Sequence, residues 1–214
     1  MNIEKILKLA DRFYTFASET EELPENSKDL KTVLKNIEKL ETFNARKKYA
    51  ERSNALERLS SGSSRIVYLT NENTVLKLAS GDKGLDQNKN EANSKVKSEY
   101  VNKVYRHAKN YSWIETRYIE NKINEKQFKK MTDINFDDFG KCVEYKFEKS
   151  SNKPKKYDEI SKSEIFKELT KAIKIADLAV GDVIRIVQFG EYEGHPILLD
   201  AGLTNKTFEK HYES

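Results

Sequence analysis

The sequence predicts an α+β protein, a small antiparallel sheet set between helical segments. Three observations carry this. Residues 30–40 and 163–178 place apolar side chains at helical spacing, while residues 65–79 and 113–119 alternate over strand lengths broken by turn residues. The order is helices, then strands, then helices with a last β-hairpin. That divides the chain into a helical N-terminal extension (1–56), a sheet-containing lobe (57–120) and a reduced, mainly helical lobe (121–214).

Residues 3–18 carry Ile3, Ile6, Leu7, Ala10, Phe13, Tyr14 and Ala17 on one helical stripe, which docks either on its own domain or on a partner protein. After a polar, proline-containing break, Ser27 caps a second helix with Leu30, Val33, Leu34, Ile37 and Leu40 on one face. Lys35, Lys39, Arg46, Lys47 and Lys48 form a solvated face, because acids are interleaved. Strands follow at residues 65–69 and 74–79 around the turn Asn71-Glu-Asn73, then a loop (80–84), a polar helix (87–98) and strands at 100–105 and 113–119. Helical segments at 124–131 and 136–147 precede a basic tract without structure (150–156). The helix at 163–178 carries Ile165, Phe166, Leu169, Ile173 and Ala176, and short strands near 187–191 and 196–199 flank the turn Tyr192-Glu-Gly194.

Composition excludes several classes. The 39 basic and 35 acidic residues nearly cancel to +4, and basic and aromatic residues are not interleaved, so nucleic acid is not an expected partner. One cysteine, Cys142, excludes an internal disulfide or a cysteine-built zinc site and fits a reducing compartment. No apolar run approaches the roughly 18 residues of a membrane span. Acids from Glu4 onward rule out a secretory signal, so a soluble, cytoplasmic protein is expected.

Three stretches carry chemistry. Ser61, Gly62 and Ser63 lie in a run of small residues whose backbone amides can approach phosphate oxygens, or which simply turn a hairpin. Lys77 has apolar neighbours on both sides, so it needs a counter-ion or an anionic ligand unless its face meets water, and Glu91 in the following helix is a partner for it. Asp200 ends an apolar strand in Asp200-Ala-Gly202, where a carboxylate can hold Mg²⁺ against phosphate oxygens.

Taken in order, these pieces resemble a protein kinase-like fold: a glycine-rich loop at 59–68, a lysine strand at 74–77, a glutamate helix from Gln87 to Glu91, a hinge strand at 113–119 and a strand ending in Asp-x-Gly at 197–202. Gly181-Asp182 stands at about the family's distance before Asp200. More narrowly, the ending is similar to short, C-terminally truncated kinase-like proteins of bacteriophages, which implies a host-cytoplasm or virion location. The resemblance implies ATP as ligand, with amides around Gly62 over its phosphates, Lys77 pairing them and Glu91 orienting Lys77. It further implies Asp182 as the base toward an attacking hydroxyl, Asp200 and Gln188 as Mg²⁺ ligands, and Arg117, Tyr118 and Ile119 as the hinge facing adenine.

The sequence departs from the family at several points. Ser60 and Arg65 replace glycines, Asp182 lacks the preceding His-Arg, and Ala201 replaces phenylalanine. Too little chain follows Gly202 for an activation segment or peptide-binding helices. Two readings stay open: a minimal ATP-dependent phosphotransferase acting on a protein hydroxyl, its own tail (Thr204, Thr207, Ser214) included, or a catalytically silent scaffold that assembles through its N-terminal helix.

Overall fold

The computed structural model describes residues 23–212. The helix expected at 3–18, and Ser214, lie outside the described residues. Helices α1 (Leu30–Lys39) and α2 (Phe43–Arg52) come first. Asp29, not Ser27, caps α1: its carboxylate accepts the Thr32 amide at 2.9 Å. The Ser27 hydroxyl sits two residues early, where it reaches only the Asp29 amide, at 3.1 Å.

Strands β1 (Leu56–Ser61), β2 (Arg65–Thr70), β3 (Thr74–Ala79), β4 (Val104–His107) and β5 (Trp113–Arg117) form one antiparallel sheet in the order β1-β2-β3-β5-β4. Side chains alternate across a strand. Ile66, Tyr68, Leu76 and Leu78 therefore share one face, and they merge with Leu30, Val33, Leu34, Ile37 and Tyr49 into a single buried core. The opposite face is left with Arg65, Val67, Val75 and Lys77, Val67 lying directly across from Lys77.

Helix α3 (Asp82–Ala92) begins inside the stretch expected to be a loop and stops short of 98. Gly81, at φ +148°, turns the chain directly into it, and beyond Ala92 the sequence has no apolar stripe to bury. Gly84 lets the helix press on the sheet: a Cβ there would stand 2.2 Å from the Ser64 carbonyl oxygen. The strand expected at 100–105 starts only at Val104, because residues 100–102 are drawn down to the other lobe. Leu198 donates to the Tyr100 carbonyl and Asn102 donates to the Leu198 carbonyl, each at 2.9 Å.

The second lobe comprises α4 (Glu125–Thr132), α5 (Phe136–Lys146), α6 (Tyr157–Ile160), α7 (Glu164–Ala176), α8 (Val180–Val183), the hairpin of β6 (Phe189–Tyr192) and β7 (His195–Leu198), and α9 (Asn205–Tyr212). Its separate core gathers Phe128, Phe136, Phe139, Phe166, Leu169, Phe189 and Leu198, with the Phe128 ring 4.9 Å from Phe136 and 5.5 Å from Phe139. Helix α9 was not anticipated; Thr204 caps it by accepting the Thr207 amide at 3.2 Å. Among the described residues no helix is long and apolar enough to cross a membrane. The fold is α+β, a sheet-containing lobe followed by a mainly helical one.

Candidate functional site

Between the Arg65–Lys77 face of the sheet and the second lobe lies a cleft of about 350 Å³. Leu59, Val67 and Val75 from the sheet and Val187 and Leu199 from the other lobe give it apolar walls, and Lys77, Gln188 and Asp200 are polar members.

Lys77 reaches the cleft through strand alternation and is held there. Its ammonium donates to Glu91 Oε2 at 2.8 Å and to the Leu199 carbonyl at 3.0 Å. Glu91 is presented by the face of α3 that also carries Gln87 and Asn88, the i, i+4 geometry of a helix. Ser64 Oγ donates to Gln87 Oε1 at 2.6 Å, and Asn88 Nδ2 donates to the Tyr111 carbonyl at 2.9 Å, so α3 is fixed from both directions. Burial pushes the Glu91 carboxyl up, against the pull of Lys77 and Arg65.

Arg65 is the residue that sequence reasoning missed. There it counted only as a lost glycine; here it is 5% exposed and bonded to both acids, NH1 to Glu91 and NH2 to Asp200, with Asn88 Oδ1 at 3.4 Å from NH1. The available signal was its period-two position, which puts a second cation on the same strand face as Val67, next to Lys77. Asp200 Oδ1 accepts the Gly202 amide at 3.0 Å, so each of its oxygens has a partner. Burial alone would raise this carboxyl, but Arg65 and Lys77 outweigh it and hold it well below the usual carboxylate range. Gly202 allows the close passage of the chain beside α3: a Cβ there would meet the Gln87 carbonyl and Glu91 Oε1, both at 2.8 Å.

Asp182, in α8, accepts from Gln188 Nε2 at 2.9 Å, with Arg185 NH1 at 3.5 Å from the same oxygen. Burial pushes its carboxyl up; the Gln188 bond opposes this and the Asp200 charge adds to it. Asp182 also lines a neighbouring cavity of about 560 Å³ with Glu144, Lys149, Arg185 and Tyr212.

Ser61, Gly62 and Ser63 form the exposed tip of the β1–β2 hairpin, where the Gly62 amide donates to the Arg65 carbonyl at 2.9 Å and Lys83 Nζ reaches Ser63 Oγ at 3.2 Å. The cleft is instead lined from this strand by Leu59 and Ser60. Arg117, Tyr118 and Ile119 line the cleft; the Arg117 carbonyl accepts from Asn102 Nδ2 at 3.1 Å, and its guanidinium lies 4.0 Å from the Tyr192 ring. Thr204 and Thr207 are buried and bonded to Asn90, which removes them as accessible phosphate acceptors.

A divalent ion is not matched by these donors. Asp200 is already neutralised by Arg65, and Gln188 turns its NH₂ toward Asp182. Among the described residues no three acids, histidines or cysteines are grouped to hold a metal.

No family model matches the chain, and no curated protein does. Solved structures that are similar include two aminoglycoside phosphotransferases. The ADP-bound aminoglycoside phosphotransferase APH(2'')-Ib is 17% identical, over 75% of this chain and 69% of its own, with a TM-score of 0.35. The streptomycin–ATP–APH(2")-IIa ternary complex is 16% identical, over 70% of this chain and 66% of its own, with a TM-score of 0.30.

Proposed function

We propose that the chain is a kinase-like nucleotide-binding protein, taking ATP or ADP in the interlobe cleft. One observation supports this most: a lysine and a glutamate, each 7% exposed, meet at 2.8 Å beside a cleft with apolar walls. A buried ion pair is weak support for stability, and its position beside a cleft with room for a base fits a phosphate anchor. An ammonium has three protons to donate. Glu91 and Leu199 take two, which leaves one for a phosphate oxygen. Tyr118 and Ile119 bring the hinge to the adenine end in this reading. Mg²⁺ has no part in it, because the Asp200–Gln188 donor set does not suit the ion.

The test is thermal denaturation and calorimetric titration with ATP and ADP. Bound nucleotide raises the melting temperature by linkage, and Lys77→Met, which leaves Glu91 paired with Arg65, should remove both the rise and the titration heat. A wild-type chain that ignores millimolar ATP and ADP would overturn the proposal.

Phosphotransfer is a second reading, supported by Asp182: a carboxylate of raised pKa at the edge of a second cavity would take a proton from a hydroxyl entering it. Labelled ATP should then mark an acceptor, and Asp182→Asn should stop the labelling. If transfer is absent while binding persists, the silent scaffold is what remains.

A further inference from the structure

We propose that Arg65 is a resident cation in place of a divalent metal, so that the cleft holds nucleotide phosphate without a metal ion. This rests on the nucleotide-binding reading and concerns how that site manages charge.

Arg65 and Lys77 lie on the same face of paired strands, and the two acids that meet them come from elsewhere in the chain, Glu91 from α3 and Asp200 from two residues past β7. Two cations and two carboxylates give no net charge. A strand-end carboxylate beside a phosphate site is repulsive toward phosphate unless a cation stands on it. Here the guanidinium does so, and it also fixes the carboxylate's orientation from one side while the Gly202 amide fixes it from the other.

A metal ion would have to displace this guanidinium from Asp200. Arg65 is held by three side chains at once, Glu91, Asn88 and Asp200, and Glu91 also keeps Lys77 in place. Arginine cannot escape by losing its proton; burial works against the charge, but Asp200 and Glu91 outweigh it and raise its pKa further. Arg65 is not itself among the residues that line the cleft, whereas Lys77 is. The division of labour follows: Lys77 touches phosphate, and Arg65, behind it, cancels the acids that would repel phosphate.

The experiment compares nucleotide affinity in excess EDTA with affinity in millimolar Mg²⁺, and follows Mn²⁺ binding to the nucleotide-free chain by electron paramagnetic resonance. The proposal expects equal wild-type affinity in both buffers and no Mn²⁺ bound. Arg65→Ala should bind Mn²⁺ and should need metal for nucleotide, with affinity about tenfold or more lower in EDTA. Asp200→Asn, which leaves Arg65 paired with Glu91, guards against Arg65→Ala failing to fold. Removing a negative charge beside the phosphates should tighten metal-free binding, whereas a metal-ligating Asp200 predicts loss. Wild-type affinity that rises about tenfold with Mg²⁺, or Mn²⁺ held by the wild-type chain, would overturn the inference. If nucleotide binds in neither buffer the function reading falls, and Mn²⁺ binding alone then decides the role of Arg65.

Discussion

Two glycines inside helices should respond to the same substitution with opposite signs. Gly140 lies in α5, and a Cβ there would have Ile184 Cβ as its nearest contact at 3.6 Å, an ordinary distance. Gly140→Ala therefore shows helix propensity alone, a gain of about 0.5–1 kcal/mol. Gly84 lies in the first turn of α3, where a Cβ would stand 2.2 Å from the Ser64 carbonyl oxygen and 3.0 Å from Ala79 Cα. Both are main-chain atoms of the sheet, so the helix must lift. Overpacking of this kind costs about 1–3 kcal/mol, the upper end applying where backbone has to move. Less the propensity gain, the net loss is about 2 kcal/mol. At about 2–4 °C per kcal/mol for a chain of this size, Gly140→Ala should melt about 1–4 °C higher than wild type and Gly84→Ala about 4–8 °C lower. A lifted α3 also withdraws Glu91 from Lys77, so Gly84→Ala should weaken nucleotide binding while Gly140→Ala leaves it alone. Denaturation curves and titrations on both variants check this. Two variants that shift in the same direction would refute the placement of α3 on the sheet.

Asn90 Nδ2 lies 2.9 Å from both the Gly202 carbonyl and Thr207 Oγ1, so Asn90→Ala should cost about 1–3 kcal/mol and speed amide exchange in residues 203–212, read by mass spectrometry. Asp200 is depressed in the folded state, so it binds a proton less readily folded than unfolded. Its stabilising share is complete above about pH 4–5 and lost as pH falls further, and melts from pH 7 to 3 should show a flatter acid limb for Asp200→Asn. Asp182 is raised, so if it serves as base, the acid limb of any transfer rate should lie at higher pH than for an ordinary aspartate.

The parts of this chain that were legible in sequence are those whose cause is local. Alternation and turn residues marked 65–69 and 74–79 as strands, and the helical spacing of Ile165, Phe166, Leu169 and Ile173 marked a helix that supplies the core of the second lobe. Lys77 was legible because an ammonium in an apolar strand needs a partner, and Glu91 because the next helix offers one. Residues 100–102 and α9 were not, since tertiary pairing decides both. The first segment bonds across to Leu198, and the second is held to α3 by Asn90 and Asp86, the latter meeting Lys210 and His211, rather than by an apolar stripe. Arg65 was misjudged in part for the same reason: period two put a cation beside Lys77, but did not show what that cation meets. Its meaning depends on Asp200, 135 positions away, and no window of sequence contains both.

The long-range contacts converge on α3, and this makes its position a property of the fold. At its first turn the helix is seated on the sheet through Gly84, with Ser64 bonded to Gln87. Along its outer side Asp86 pairs with Lys210 at 2.7 Å and with His211 at 2.9 Å, and Asn90 ties it to Gly202 and α9. Glu91, one turn past Gln87 on the sheet-facing side, cannot swing away from Lys77 unless one of these sets breaks. An ion pair in a helix free to move would be made and lost with ligand. Here the helix is pinned on the sheet side and on the α9 side, so the Lys77–Glu91 pair stands ready before any ligand arrives, and binding has less ordering to offset.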